Sequence, residues 1–498
     1  MDFLKKSHNY KSIKPEYCFL LFALVIGLSF ALLIPAGAGA DEPNHIARAA
    51  SISQGNIVAD KITDHLGYTS TLDTEKKDAV LYGGVVDNAL TDTAWNNMVK
   101  FHTGKKSDGG QAKYSFPTWK TPGIVNNLTL GEGSHVEAFS NAAVNSPLVY
   151  LPFIVGYWFA CLFTHNAYAV IIVMRIFGLF FFCAAIFWCI KKIPAGKWIL
   201  TSISLIPNLV ICVSMVTADT VTYTVCITFM TVLLSICSNG GELSKSQWWM
   251  LAVSSIALAL VKVTYLPLIL LIGLILVFNE RNKGSFVRLI SIASSAGLVF
   301  LLWYGRISNI SSCAMFDVNA SPTYQKQFMI EHPFFFIKLL IKQLMDSNFF
   351  NLGIFGPIGL HGHWDYSGWI TIFILMTAMC LKDVREREIK LQEHKSIYAV
   401  SNFFVVACVF FLICLAIYLQ FCEVGANHIS GVQDRYFLPI LILMIMPIRL
   451  IATKCTNSDR EESSLSSVFW MQILQFGSAV ATMYVLFSGL FTSSIYGM

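Results

Sequence analysis

Charge is scarce in this chain. Asp, Glu, Lys and Arg make up 13% of its 498 residues, against roughly 25% in a soluble domain. That excludes an ordinary water-soluble globule. There is no CxxC and no HExxH, so the familiar thiol-redox and zinc-protease motifs are absent. Of the thirteen cysteines, most lie inside apolar runs (Cys161, Cys183, Cys189, Cys212, Cys226, Cys408, Cys414). They read as small core residues, not disulfides or metal ligands. No basic stripe interleaved with aromatics occurs, which excludes nucleic acid as a partner. No internal repeat, and no inverted pair of Gly/Pro-broken spans of the transporter kind, is visible.

Apolar sequence is abundant: 55% of residues are hydrophobic and the mean hydropathy is +0.60. The run Tyr17–Ala36 is long enough to cross a bilayer at about 1.5 Å per residue. Lys5, Lys6, Lys11 and Lys14 precede it, which assigns residues 1–16 to the cytoplasm. Ala38-Gly39-Ala40 resembles a signal-cleavage site, but the run exceeds a typical signal core and many more follow, so retention is expected. Further candidates are Pro147–Phe163, Ala167–Ile190, Trp198–Val216, Val221–Ser238, Gln247–Val261, Thr264–Phe278, Leu289–Tyr304, Ser367–Leu381, Tyr398–Phe421, Tyr436–Ile451 and Val468–Thr492. If all cross, the basic segment Lys382–Lys395 falls outside. Dropping Pro147–Phe163, which is short and carries Pro152 and Gly156, returns Lys191, Lys192, Lys197, "NERNKGSFVR", "KDVREREIKLQEHK" and "RLIATK" to the inside. The expectation is an all-α polytopic integral membrane protein with about eleven transmembrane helices, a cytoplasmic N-terminus and a place in the cell (plasma) membrane.

This arrangement divides the chain into a first span (17–36), a long first extracytoplasmic loop (37–146), a transmembrane core (147–304), a second extracytoplasmic loop (305–366) and C-terminal spans (367–498). The first loop is expected to be a small cap with surface helices. The second holds "EHPFFFIKLLIKQLMDSNFF", whose aromatic and aliphatic residues beside Lys338 and Lys342 suit the plane of the bilayer interface.

Ionisable residues at bilayer depth cost about 2.5–3.5 kcal/mol each on insertion scales, so each needs a reason. The acidic pair Asp41-Glu42 emerges just after the first span. His45, Asp219, Lys262 and Arg435 fall on the same outer face, as do His361, His363 and Asp365. Carboxylates, cations and imidazoles on one face suit transfer to or from a phosphate-linked sugar. A carboxylate takes the acceptor's proton; Arg and Lys neutralise a phosphate leaving group. Each residue also has a plainer reading. Asp41-Glu42 end a span, Asp219 caps a helix, Lys262 snorkels, and the His361/His363 segment is a solvated turn or half of a divalent-metal site. Arg175, inside "VIIVMRIFGLF", belongs either to a buried ion pair or to the site.

Five segments, in order, resemble the motifs of a bacterial polytopic membrane family catalogued as domain of unknown function 2142. They are "ADEPNHIARAASISQG", "NSPLVYLPFIVG", "SMVTADTVTYTV", "LVKVTYLPLILL" and "ISGVQDRYFLPILI", covering about residues 15–450. That family resembles the C-type (GT-C) glycosyltransferases, which use lipid-phosphate sugars. The resemblance implies a GT-C-like fold with Asp41 and Glu42 as catalytic residues. His45, Asp219, Lys262, Tyr265, Arg435 and Tyr436 would bind substrate, with Lys262 and Tyr265 facing the lipid phosphate. It implies a polyprenyl-phosphate sugar donor, a cell-envelope acceptor and the lipid bilayer as partners, with no certain cofactor beyond a possible divalent metal. Ser146 and Asp434 depart from its Pro-Pro and Gly-Arg patterns. Two other readings are open: a transporter or flippase of a lipid-linked glycan, and a non-catalytic envelope-polysaccharide assembly protein.

Overall fold

The computed structural model describes residues 13–39, 41–62, 81–102, 120, 123–279, 283–311, 320–345, 365–381, 391, 393–452 and 465–495. Helix α1 (Pro15–Leu33) starts with proline at its first position and ends where Ile34 turns extended ahead of Pro35; a missing N–H costs nothing at a helix start. Helix α2 (Glu42–Ser53) follows after a tight turn. Next come strands β1 (Asp60–Ile62) and β2 (Leu81–Asp87), helix α3 (Asn88–His102), strand β3 (Ser134–Ala138) and the short α4 (Ser140–Ala143). The strands form an antiparallel sheet in the order β1-β2-β3, with Val85 opposite Val136. The first loop is therefore a small α/β cap. The all-helical expectation missed its sheet because the strands are short and carry Gly83 and Gly84. A side chain at Gly83 would run into the Glu137 backbone of the neighbouring strand.

A 3₁₀ turn (Pro147–Tyr150) leads into α5 (Leu151–Cys161), which packs on α6 (Ala167–Lys192). Eleven residues span only about 16 Å, against a hydrocarbon core of roughly 30 Å. The Asn166 side chain caps α6 by accepting from the Ala169 amide, and Lys191 and Lys192 occupy its last turn, where they complement the helix dipole. The expected span Trp198–Val216 is two helices, α7 (Lys197–Ser204) and α8 (Pro207–Val213); Pro207 forces Ile206 out of helical geometry. Next stand α9 (Ala218–Asn239) and α10 (Lys245–Leu260), the latter opened by a Ser244/Gln247 capping box. Val263–Leu274 is 3₁₀ with Pro267 inside it, then α11 (Ile275–Phe278). Helices α12 (Lys283–Ser311), α13 (Pro322–Glu331) and α14 (Pro333–Met345) follow, then Asp365–Cys380, Lys395–Phe421, a 3₁₀ turn Asp434–Ile440, Leu441–Ala452 and Leu465–Ile495.

Six described helices are long and apolar enough to cross a membrane: Pro15–Leu33, Ala167–Lys192, Ala218–Asn239, Lys283–Ile310, Lys395–Phe421 and Arg435–Ala452. Shorter apolar helices accompany them. The chain is a multi-pass, overwhelmingly helical membrane protein. One continuous core runs from Phe19 through Phe182 and Tyr223 to Val409 and Met446, and α9, buried on nearly all sides, is its central helix. The described helices share two ends. Asn279 of the 3₁₀–α11 segment bonds the Ile236 and Gly241 carbonyls, and the Ser235 hydroxyl donates to the Lys192 carbonyl, so the C-terminal ends of α6, α9 and α11 share one end. The α1–α2 turn and the starts of α9 and of Asp434–Ile440 share the other.

Candidate functional site

Five segments far apart in sequence meet at that second end, and the turn after α1 begins the construction. Glu42, the first residue of α2, is fully buried. Its Oε1 accepts from Arg175 Nε (2.8 Å) and the Val216 amide (2.9 Å). Its Oε2 accepts from Arg175 Nη2 (2.6 Å) and the Gly39 amide (2.8 Å). Arg175, also fully buried, donates further to the Ala31 (3.1 Å), Ile34 (2.7 Å) and Pro35 (2.8 Å) carbonyls. Every guanidinium hydrogen thus has an acceptor, and both carboxylate oxygens have two donors. Arg175 caps the orphan carbonyls at the end of α1, while Glu42 ties that end to α6 and to the α8–α9 turn. Gly39 is required here, since a side chain would meet Glu42 Oε2 at 2.9 Å and Met215. Glu42 therefore holds structure; no acceptor position remains on it for a substrate proton.

Asp41, one residue earlier, has the opposite environment. It is the only non-glycine residue with positive φ (57°) among the described residues, in the left-handed region that aspartate tolerates best after asparagine and glycine. It occupies the cap position of α2 without capping it. Its side chain turns instead to Arg435, with Oδ2 3.3 Å from Nη2, and stays 39% exposed.

Arg435 also approaches Asp219, Nε to Oδ2 at 3.3 Å. The other oxygen of Asp219 takes a hydrogen bond from Lys262 Nζ. Asp219 sits in the first turn of α9, but it is Thr217 that caps the helix, accepting from the Asp219 amide. Relieved of capping, the Asp219 side chain bridges both cations. Lys262 stands extended between α10 and the 3₁₀ segment, where Pro267 and the change of helix type open the backbone. Its ammonium lies 5.2 Å from the Tyr436 ring centre, and the Arg435 guanidinium 5.7 Å, within cation–π range. Burial would lower the Lys262 pKa, but Asp219 beside it outweighs that, and the net shift is upward; the lysine is a cation at any physiological pH. The side-chain exposures of Lys262 (26%), Asp219 (19%) and Arg435 (10%) leave the group reachable from one side.

His45 lies one helical turn beyond Asp41 on α2. Its Nδ1 is 2.8 Å from Tyr150 Oη. Asn145 Nδ2 donates to that same hydroxyl at 3.4 Å, an arrangement compatible with Tyr150 O–H donating to Nδ1 and the ring proton resting on Nε2. Burial pulls the His45 pKa from 6.5 down to about 4, against the opposing pull of Asp41 and Asp219. At neutral pH it is an uncharged ring.

The expected residues therefore divide. Asp41, His45, Asp219, Lys262, Arg435 and Tyr436 form one cluster. Glu42 backs it as a clamp. Tyr265 is buried and donates its hydroxyl to the Tyr436 carbonyl at 2.7 Å, so it fixes the loop carrying Arg435 and has no hydroxyl to offer a phosphate. His361 and His363 lie outside the described residues; Asp365 begins the helix Asp365–Cys380. No metal-binding group of His, Cys, Asp or Glu occurs among the described residues. Sequence reading missed Tyr150, Asn145 and Cys212, whose Sγ is 3.9 Å from Asp219 Oδ2. Tyr150 had a signal, since a tyrosine in an otherwise apolar segment needs a partner for its hydroxyl.

In chemical terms the site offers one half-exposed carboxylate, a neutral imidazole, and two cations whose charge is balanced by Asp41 and Asp219. An anion placed on Lys262 and Arg435 would compete with those carboxylates. No curated protein and no solved structure matches the chain. Residues 24–444 match the family described as "Predicted membrane protein (DUF2142)". That stretch runs from within α1 into the helix Leu441–Ala452 and includes every residue of the cluster, so the chain belongs to this membrane-protein family.

Proposed function

We propose that the protein is a membrane glycosyltransferase of GT-C type. It would move a sugar from a polyprenyl-phosphate donor to a cell-envelope glycan, lipid or protein on the extracytoplasmic face. The observation that carries this reading is the convergence of Asp41, Asp219, Lys262 and Arg435 at one end of the helices. Asp41 takes the proton of an acceptor hydroxyl as that oxygen bonds to the anomeric carbon. The bond from that carbon to the phosphate oxygen breaks, and the polyprenyl phosphate leaves with its new charge held by Arg435 and Lys262. Asp219 keeps the two cations in place before the donor arrives. His45 donates from Nε2 to a sugar or phosphate oxygen.

The topology proposed with this reading has about eleven crossings: α1, α6, the α7–α8 pair, α9, α10, the 3₁₀–α11 segment, α12 and the four later helices. In support, Lys191, Lys192 and Lys197 all lie at the end away from Asp41, as the positive-inside rule requires of a cytoplasmic end. The same reading puts the N-terminus in the cytoplasm and the protein in the plasma membrane.

The test uses membranes containing the full-length protein and a radiolabelled polyprenyl-phosphate sugar. Asp41→Asn is expected to abolish release of polyprenyl phosphate and labelling of envelope acceptor while the protein inserts at normal level. Retained transfer would overturn the assignment of Asp41. Unaltered chemistry with altered flux of intact donor across vesicles would favour a transporter.

A further inference from the structure

Helix α14 (Pro333–Met345) has two apolar faces, and only one is packed. Phe336, Leu339 and Gln343 are buried. Phe336 stacks on Tyr418 with ring centres 5.4 Å apart and meets Phe411 edge-on at 6.1 Å, so α14 rests against the helix Lys395–Phe421 through Phe336. The opposite arc is exposed and apolar: Phe334 (83%), Ile337 (50%), Ile341 (59%), Leu344 (40%) and Met345 (73%). At 100° per residue these five share one stripe, bordered along a single edge by the exposed Lys338 and Lys342. No acidic residue occurs in the helix. The helix Lys395–Phe421 also carries exposed aromatic side chains, Phe404 among them.

We propose that this face is a docking surface for an anionic bilayer leaflet. The apolar arc enters the acyl boundary and the lysine edge takes lipid phosphates, the pattern of an in-plane interfacial helix. Two features favour lipid over a protein partner: the helix carries charge of one sign, and that charge is confined to one edge of the apolar arc.

The docking has a target. Residues 422–433 form the loop that delivers Arg435, and α13 and α14 hold it. Gln325, fully buried on α13, accepts from the Gly425 amide at 2.9 Å. Lys342 Nζ donates to the Asn427 carbonyl at 3.3 Å. The Tyr418 hydroxyl donates to the Ala426 carbonyl at 2.9 Å. Seating α14 on the leaflet therefore steadies the loop that places Arg435 beside Asp41 and Asp219. This holds whatever reaction the cluster performs, and its test reads no transfer.

The full-length protein is reconstituted in nanodiscs of phosphatidylcholine alone and of phosphatidylcholine with phosphatidylglycerol. Backbone hydrogen exchange is followed in α14 and in residues 422–434. The expected result is slower exchange of both segments, several-fold, with phosphatidylglycerol. Lys338→Glu, at an exposed position on the edge of α14, is expected to remove that difference while leaving exchange of α6 and α9 unchanged. Photo-crosslinking from p-benzoylphenylalanine at position 334 should label lipid. Equal exchange in both discs, or crosslinks to protein instead of lipid, would overturn the proposal.

Discussion

Asp41 and Glu42 are neighbours with the same functional group and opposite fates. Glu42 is sealed, with two donors on each oxygen and a fully buried arginine as partner. Asp41 is half-open, held by one longer contact to Arg435, in a backbone conformation that points it away from its own helix. The difference teaches how a membrane protein can keep one of two adjacent carboxylates sealed and leave the other partly exposed. One charge is neutralised completely to weld three elements together, and the residue beside it is thereby aimed. A buried pair of this kind adds little net stability, but removing one partner strands a charge in a low-dielectric interior. Saturation of every donor and acceptor marks Glu42–Arg175 as structural; incomplete pairing and exposure mark Asp41 as available.

The sharpest way to break the contrast is to strip one partner from the clamp. Arg175→Met or Glu42→Ala should destabilise the protein by about 3–5 kcal/mol, seen as loss of folded material in detergent thermal scans. The double variant Glu42→Gln/Arg175→Met should be milder than the worse single one, because no charge is left unpaired. If the singles melt normally, Glu42 is no clamp. Asp41→Asn should behave in reverse. Its melting temperature should change little, while the proposed transfer falls by about 10²–10⁴-fold, the usual range for loss of a general base.

A smaller effect is expected at Lys262. Lys262→Met removes one charged contact to the donor phosphate, of the class that contributes about 1.5–3 kcal/mol. Apparent donor affinity should weaken, and kcat should fall less than in Asp41→Asn. An unchanged donor KM would separate Lys262 from phosphate binding. The smallest effect concerns pH. The folded state holds His45 near 4, against an ordinary 6.5, so between those values the unfolded chain binds a proton that the folded chain refuses. Stability is therefore full above about 6.5 and declines as pH falls toward 4. His45→Asn should flatten that part of the melting-temperature profile; an identical profile would show that His45 is not the responsible group.

Much of this was legible in local sequence. Runs such as Ala167–Ile190 and Tyr398–Phe421 became helices close to the expected bounds. Pro147–Phe163 became a 3₁₀ turn followed by an eleven-residue helix, not one long span. The cap's sheet was not legible, since β1 has three residues and no alternation long enough to register. Nor was the exchange of roles at Asp219. A carboxylate at a helix start reads as a cap until Thr217 is seen doing that task.

Hydropathy is a sum over neighbours in the chain, so the sequence by itself determined a membrane protein, the level at which α1 ends, and which few charges needed explaining. Pairing is not such a sum. Glu42 finds Arg175 across 133 residues, and Asp41 finds Arg435 across 394. Nothing in either local pattern distinguishes a carboxylate with four donors from one with a single cation and open water. Only the packing of α6, α9 and the Asp434–Ile440 turn around the end of α1 decided which of the two acids is sealed and which stays partly exposed.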